Sequence, residues 1–308
     1  MQPHSQKIIH HLERVTASGA SEYNIFDDWL LMVAACLEAM PRHAEHAVKN
    51  IPFEDTPETA DLFARMHARY PDYCWEYFAD AFAELVLSTD EWRDTIGEVY
   101  MTWNISNSYT GQYFTPLSVA EAMAEMTMQG IESLLHERIK EAIYGDPIAE
   151  AILITSLITE GEEAQKLFYH QLLPAVAPRV KPINIHDPCC GSGVMFLAAA
   201  SKCPRWALDY GLIQFYGCDI DFTCVTMAKV NCMLYGLNGY AIKCALALSG
   251  AELKSIPEPI TSAYAEAQQA GAAGDQQRVI EISQELRSGT YKQKSLFDAM
   301  ELVTQDDR

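Results

Sequence analysis

The residues best suited to chemistry lie in the run Asp187-Pro188-Cys189-Cys190-Gly191-Ser192-Gly193. Before it, Val180 to His186 reads as a short strand; after it, Val194 to Ala200 has no breaker and reads as the first turns of a helix. A strand that passes through a glycine turn into a helix can cradle a nucleotide. Glycine lets backbone approach a ligand closely, and the helix N-terminus presents N–H groups. The same turn can also do no more than close a strand–helix corner. Downstream, Leu212 to Asp221 reads as an apolar strand ending in acids. A carboxylate at such a tip, near this spacing from the glycine turn, can accept hydrogen bonds from both hydroxyls of a ribose. Asp219 is assigned that role, and Asp221 the capping of a helix over 222–236.

Positioning these groups requires parallel strands, expected near 183–187, 212–218 and 240–246, with helices between them. Upstream, Gly111-Gln112-Tyr113-Phe114-Thr115-Pro116 precedes a helix predicted from about Leu117 to Thr127, with Thr115 as N-cap and Pro116 at the first helical position. Residues 1–105 read as a helical N-terminal region. Leu30 to Met40 form one strongly apolar helix expected to end at Pro41, and the aromatic-rich segment from Tyr70 to Val86 is interrupted at Pro71. Its aromatics alternate with Asp72, Glu76, Asp80 and Glu84 rather than with basic residues, so core packing is expected there and not base stacking. Further helices are expected between 128 and 179, with Gly145-Asp146-Pro147 as a turn. After Leu248 the chain turns to Ala, Gln, Glu and Gly, and 260–269 and 276–287 read as polar helices.

Together these segments resemble the N6-adenine DNA methylases, in particular the modification subunits of type I restriction systems. That family reads GQ-aromatic-Phe-Thr-Pro, then DPACGSG, then a glycine–acid strand tip and a helix with Asn and a closing Gly. This chain has Gly111 to Pro116, Asp187 to Gly193, Gly217-Cys218-Asp219-Ile220-Asp221, and a helix carrying Asn231 and closing at Gly236. The resemblance covers about residues 90 to 245. It implies an α/β fold, a helical N-terminal region followed by a Rossmann-like, doubly wound class I methyltransferase domain over 106–250, and the composition after it reads as a polar helical tail over 251–308. It also implies S-adenosylmethionine as cofactor. Tyr113, Phe114 and Thr115 would flank it, and Gly191 and Gly193 would bracket its methionine part within the turn of Asp187, Pro188, Cys189 and Ser192. Asp219 would hold its ribose, with Ile220 in the same cofactor-binding set.

The chain departs from that pattern where the base should be held. The family's catalytic signature is Asn or Asp, then Pro-Pro and an aromatic residue, which grips and stacks a flipped adenine. No Pro-Pro occurs in the 308 residues, and Pro257-Glu258-Pro259 lacks both the polar residue and the aromatic. Cys244 and Ala245 stand where the family commonly has Gly-Asp. No catalytic residue is therefore assigned, and the domain is expected to be incomplete after its third strand.

Composition bears on partners and compartment. The net charge is −20, from 42 acidic against 22 basic residues, and no cluster of Lys or Arg exceeds two. A free DNA-binding protein gains affinity by neutralising phosphates. Contact with DNA is therefore expected only through a complex, with a protein partner subunit supplying basic surface. The nine cysteines include no C-x-x-C pair, so reduced thiols in a cytoplasmic protein are expected and no metal site is assigned. His43 and His46, with Glu45 nearby, read as exposed helix surface. There is no apolar run of about 18 residues and no basic, Leu-rich leader, which argues against a membrane span or signal peptide. The expected function is that of an adenine methylase-family subunit that needs a partner for catalysis. The alternative is a catalytically inactive structural, regulatory or decoy subunit.

Overall fold

The computed structural model describes residues 3–103, 105 and 114–243. Five helices open the chain: α1 (Pro3–Val15), α2 (Glu22–Lys49), α3 (Pro57–Arg69), α4 (Cys74–Leu87) and α5 (Thr95–Thr102). Their apolar stripes meet in one core in which Ile8, Leu12, Phe26, Trp29, Leu85 and Tyr100 are at most 1% exposed. Each such side chain contributes about 1.5–3 kcal/mol of burial. The aromatic stretch divides as its spacing requires. Tyr70 and Phe78 are buried, Trp75, Tyr77 and Phe82 pack against the core, and Tyr73 faces solvent. Tyr70 donates its hydroxyl to Asp28 at 2.7 Å, and Arg69 pairs with the same carboxylate at 2.7 Å.

Pro41 does not end its helix; α2 runs on to Lys49 and closes where Asn50 adopts a left-handed conformation, φ 51°. Proline removes only one backbone donor. The extension beyond it is held from outside: the His43 ring stacks on Phe53 at 3.4 Å, and His46 Nδ1 lies 2.9 Å from the Pro52 carbonyl. Both histidines therefore have local partners.

A second group of helices follows: α6 (Leu117–Thr127), α7 (Ile131–Ile143), α8 (Pro147–Ile158), α9 (Glu162–Lys166), a π-helical turn at Leu167–Leu172, and α10 (Leu173–Val176). Helix α6 has the expected span, but Thr115 does not cap it. Pro116 occupies the N-cap position and no side chain serves the free N–H groups there. Proline's fixed φ suits it to a helix start in either position, so the sequence could not separate the two registers. Asp146 caps α8 by accepting from the N–H groups of Ile148 and Ala149 at 3.0 and 3.1 Å.

The remainder alternates strand and helix: β1 (Ile183–Asp187), α11 (Val194–Ser201), α12 (Arg205–Asp209), β2 (Ile213–Asp219), α13 (Phe222–Leu234) and β3 (Asn238–Lys243). The three strands form a parallel sheet in the order β1-β2-β3, with Asp187 opposite Gly217 and Asp219 opposite Lys243. The described fold is thus mostly helical with a small parallel sheet, an α/β arrangement. Helix α13 joins its two parts: Cys224, Met227 and Val230 enter the N-terminal helical core, while Ala228 enters the core around the sheet. Cys244, Ala245, the Pro257-Glu258-Pro259 segment and the expected tail helices lie outside the described residues.

Seven described cysteines are free thiols. Burial pushes the Cys203 and Cys232 thiols up to about 12, which makes them packing residues rather than nucleophiles. Among the described residues no helix is long and apolar enough to cross a membrane.

Candidate functional site

A cleft of about 1390 Å³ opens at the C-terminal ends of β1 and β2. This is where parallel α/β sheets place their ligands, because the helices that follow the strands start there. Phe114, Thr115, Asp187, Pro188, Cys189, Gly191, Ser192, Asp219 and Ile220 all line it. Tyr113 lies outside the described residues. Gly193 does not line the cleft; it begins α11, and a Cβ at this position would stand 3.3 Å from Cα of Ala228. Its role here is to let α11 approach α13.

The turn is built from local chemistry. Asp187 Oδ1 accepts the N–H of Cys189 at 3.0 Å, which folds the chain back at the end of β1. Gly191 and Gly193 take left-handed conformations, φ 52° and 87°. A Cβ on Gly191 would lie 3.3 Å from the Phe114 ring, so Phe114 is seated directly against the bare backbone of the turn. Asp219 ties the two strand ends together. Its Oδ2 accepts from Gly191 N–H at 2.9 Å and its Oδ1 from Asp221 N–H at 3.0 Å. Each oxygen retains a further lone pair for a ligand hydroxyl. Asp221 caps α13 through the N–H of Thr223 at 2.8 Å, as its position before the helix predicts.

The sequence reading missed several groups. Asp27 and Tyr23 of α2 reach the cleft from the N-terminal region, and Asp27 accepts from the Thr223 hydroxyl at 2.7 Å. Burial holds the Asp27 carboxyl above its ordinary range, opposed by the Thr223 hydrogen bond. His186 also lines the cleft, stacked on Tyr216 at 5.2 Å, and burial lowers its pKa. Behind the turn, Asp94 caps α5 through Gly97 N–H at 2.9 Å and also takes the Ser192 hydroxyl and Asn231 Nδ2, the latter at 2.8 Å. Burial raises its pKa, and the three hydrogen bonds oppose that shift. In sequence, Asp94 ahead of Thr95-Ile96-Gly97 signals a helix cap and nothing more.

The charge of the cleft is one-sided. Asp27, Asp187, Asp219 and Asp221 line it, and among the described residues no Lys or Arg does. Among the described residues no group of three or more His, Cys, Asp or Glu is placed to hold a metal ion. Such a site favours a cationic ligand with hydroxyls to donate, and opposes phosphate. Ile220 and Phe222, 74% and 50% exposed, add an apolar rim.

Residues 162–255 match the family described as N-6 DNA Methylase, a span that contains the glycine turn, both acidic tips and α13. A type I restriction enzyme methylase subunit, MjaIX, from Methanocaldococcus jannaschii is 37% identical over 60 residues. That match covers 20% of this chain and 11% of the relative's length. No solved structure matches the chain. The segment 162–255 is thus similar to the N-6 DNA methylases, and the chain spans about a tenth of the length of the curated relative it matches.

Proposed function

We propose that the cleft binds S-adenosylmethionine and that the chain is a Rossmann-like methyltransferase subunit acting on adenine in DNA together with a partner. The observation that carries this reading is the convergence of Phe114, Gly191 and Asp219 on one acidic cleft. The glycine turn and the start of α11 suit the methionine part, Asp219 retains lone pairs for ribose hydroxyls, and Phe114 and Ile220 offer apolar surface to the adenine. Four carboxylates suit a ligand carrying a sulfonium and an ammonium group. The bound cofactor would supply an electrophilic methyl group. The chain's own residues would orient it, since methyl transfer to an exocyclic amine depends mainly on alignment.

The net charge of −20 opposes an independent approach to DNA, which supports a basic partner subunit as the source of phosphate contacts. The relative is itself a subunit of a type I restriction enzyme, which is consistent with assembly. The cytoplasm is the compartment this reading implies. A second reading is a cofactor-binding but catalytically inactive subunit. Calorimetric titration with S-adenosylmethionine tests the shared premise, and no heat of binding would remove it. Transfer of labelled methyl groups to adenine separates the two readings. Activity that appears only when the partner is added supports the first, and none with any partner supports the second.

A further inference from the structure

Asp94 does not line the cleft, yet its carboxylate accepts the Ser192 hydroxyl of the turn that does. We propose that Asp94 is the positioning residue of the glycine turn: from the N-terminal helical region it fixes Ser192, and through Ser192 the backbone of Gly191 to Gly193, in the arrangement that receives the cofactor. This rests on the reading of the cleft as a cofactor site.

Three donors from three elements converge on this carboxylate: Gly97 N–H from α5 at 2.9 Å, Ser192 Oγ from the turn, and Asn231 Nδ2 from α13 at 2.8 Å. A helix cap requires only the first of these. Asn231 Nδ2 also donates to the Ser192 carbonyl at 2.8 Å, so Ser192 is gripped by side chain and backbone at once. It is 1% exposed. The grip matters because the residues on either side are left-handed glycines, the most permissive backbone available, which would otherwise sample many conformations. The space around the clamp is fully used: a Cβ on Gly97 would overlap the Asp94 carboxylate and lie 2.8 Å from Ser192 Oγ. One turn further along α5, Tyr100 stacks on Phe114 with ring centres 5.6 Å apart, and Phe114 in turn abuts Gly191. Helix α5 thus supports the turn from behind through Asp94 and from the side through Phe114.

Substitution to Asn and to Ala separates positioning from mere stability. In Asp94→Asn the amide oxygen still accepts from Gly97 and Asn231, and the NH₂ group faces the Ser192 hydroxyl, which can reverse and accept. In Asp94→Ala all three donors lose their acceptor. The measurements are amide hydrogen exchange of the Gly191–Val194 segment without ligand, and calorimetric affinity for S-adenosylmethionine. Leu85→Ala, in the N-terminal core, serves as a control for general loss of stability. Expected are faster exchange at the turn and about tenfold weaker binding in Asp94→Ala, with values near wild type in Asp94→Asn and Leu85→Ala. Should Asp94→Ala fail to fold, Ser192→Ala gives the same exchange comparison with only one donor removed. Wild-type exchange in both of those variants, or an Asp94→Asn as impaired as Asp94→Ala, overturns the proposal. Absence of binding by the wild-type protein refutes the cofactor reading alone, and the exchange comparison still decides the clamp.

Discussion

Asp219 and Gly191 are joined across the tips of β2 and β1 by a hydrogen bond of 2.9 Å from the Gly191 N–H to Asp219 Oδ2. The other oxygen takes the Asp221 N–H at 3.0 Å, so both of its partners are backbone donors that cannot reverse. Asp219→Asn should therefore behave unlike Asp94→Asn. An amide must turn its NH₂ group toward one backbone N–H, leaving that donor unpaired at a cost of about 1–3 kcal/mol. Urea unfolding midpoints of the two Asn variants test this. Equal stability would show that the Asp219 contacts are worth less than their geometry suggests.

Gly217 is needed for space rather than for backbone freedom. It faces Asp187 in the sheet, and a Cβ there would come within 2.7 Å of Phe196 Cζ and 2.9 Å of Cys190 Cβ. Phe196 and Cys190 are buried at 1% and 3% exposure, so neither can yield freely. Gly217→Ala should cost about 1–3 kcal/mol through overpacking. A variant with an unchanged unfolding midpoint would mean that the turn and α11 shift apart without penalty.

These cases show how much of the site was legible in the chain. The strands, the turn and the Asp221 cap follow from local patterns: apolar runs, glycines and an acid before a helix. Asp94 was not legible as a site residue because its partners, Ser192 and Asn231, come from elements far along the sequence, and a local pattern records only its cap. Pro41 misled for the same reason, since the stacking of Phe53 on His43 that sustains the helix is made from outside it.

The Asp94 carboxyl is held above the ordinary carboxylate range by burial first, with the charge of Glu98 adding to the shift. Hydrogen bonds from Ser192, Gly97 and Asn231 act in the opposite sense. A raised folded-state pKa means that the folded protein binds the proton more tightly than the unfolded chain. Its contribution to stability is then complete below the unfolded value of about 3.9 and is lost as pH rises through the folded pKa. Asp94→Asn does not titrate there and should lack that slope. Unfolding midpoints of wild type and variant, measured from acid to neutral pH, should converge or cross as pH rises. Parallel curves would show that Asp94 titrates normally.

The acidity of the cleft leads to a test of ligand class. Glycine turns at strand–helix corners often hold pyrophosphate, but among the described residues Asp27, Asp187, Asp219 and Asp221 line this one without a Lys or Arg. An added phosphate would meet repulsion, whereas a sulfonium and an ammonium would be attracted. S-adenosylmethionine should therefore bind, while ATP and NAD, which share its adenosine, should not. The attraction is also expected to weaken with salt, as the Debye length falls from about 30 Å at 0.01 M to about 3 Å at 1 M. Calorimetric titrations of the three ligands at low and high salt read both effects. ATP binding comparable with that of S-adenosylmethionine, or affinity for the latter that rises with salt, would mean that the carboxylates do not select the ligand and that the turn is a phosphate site after all.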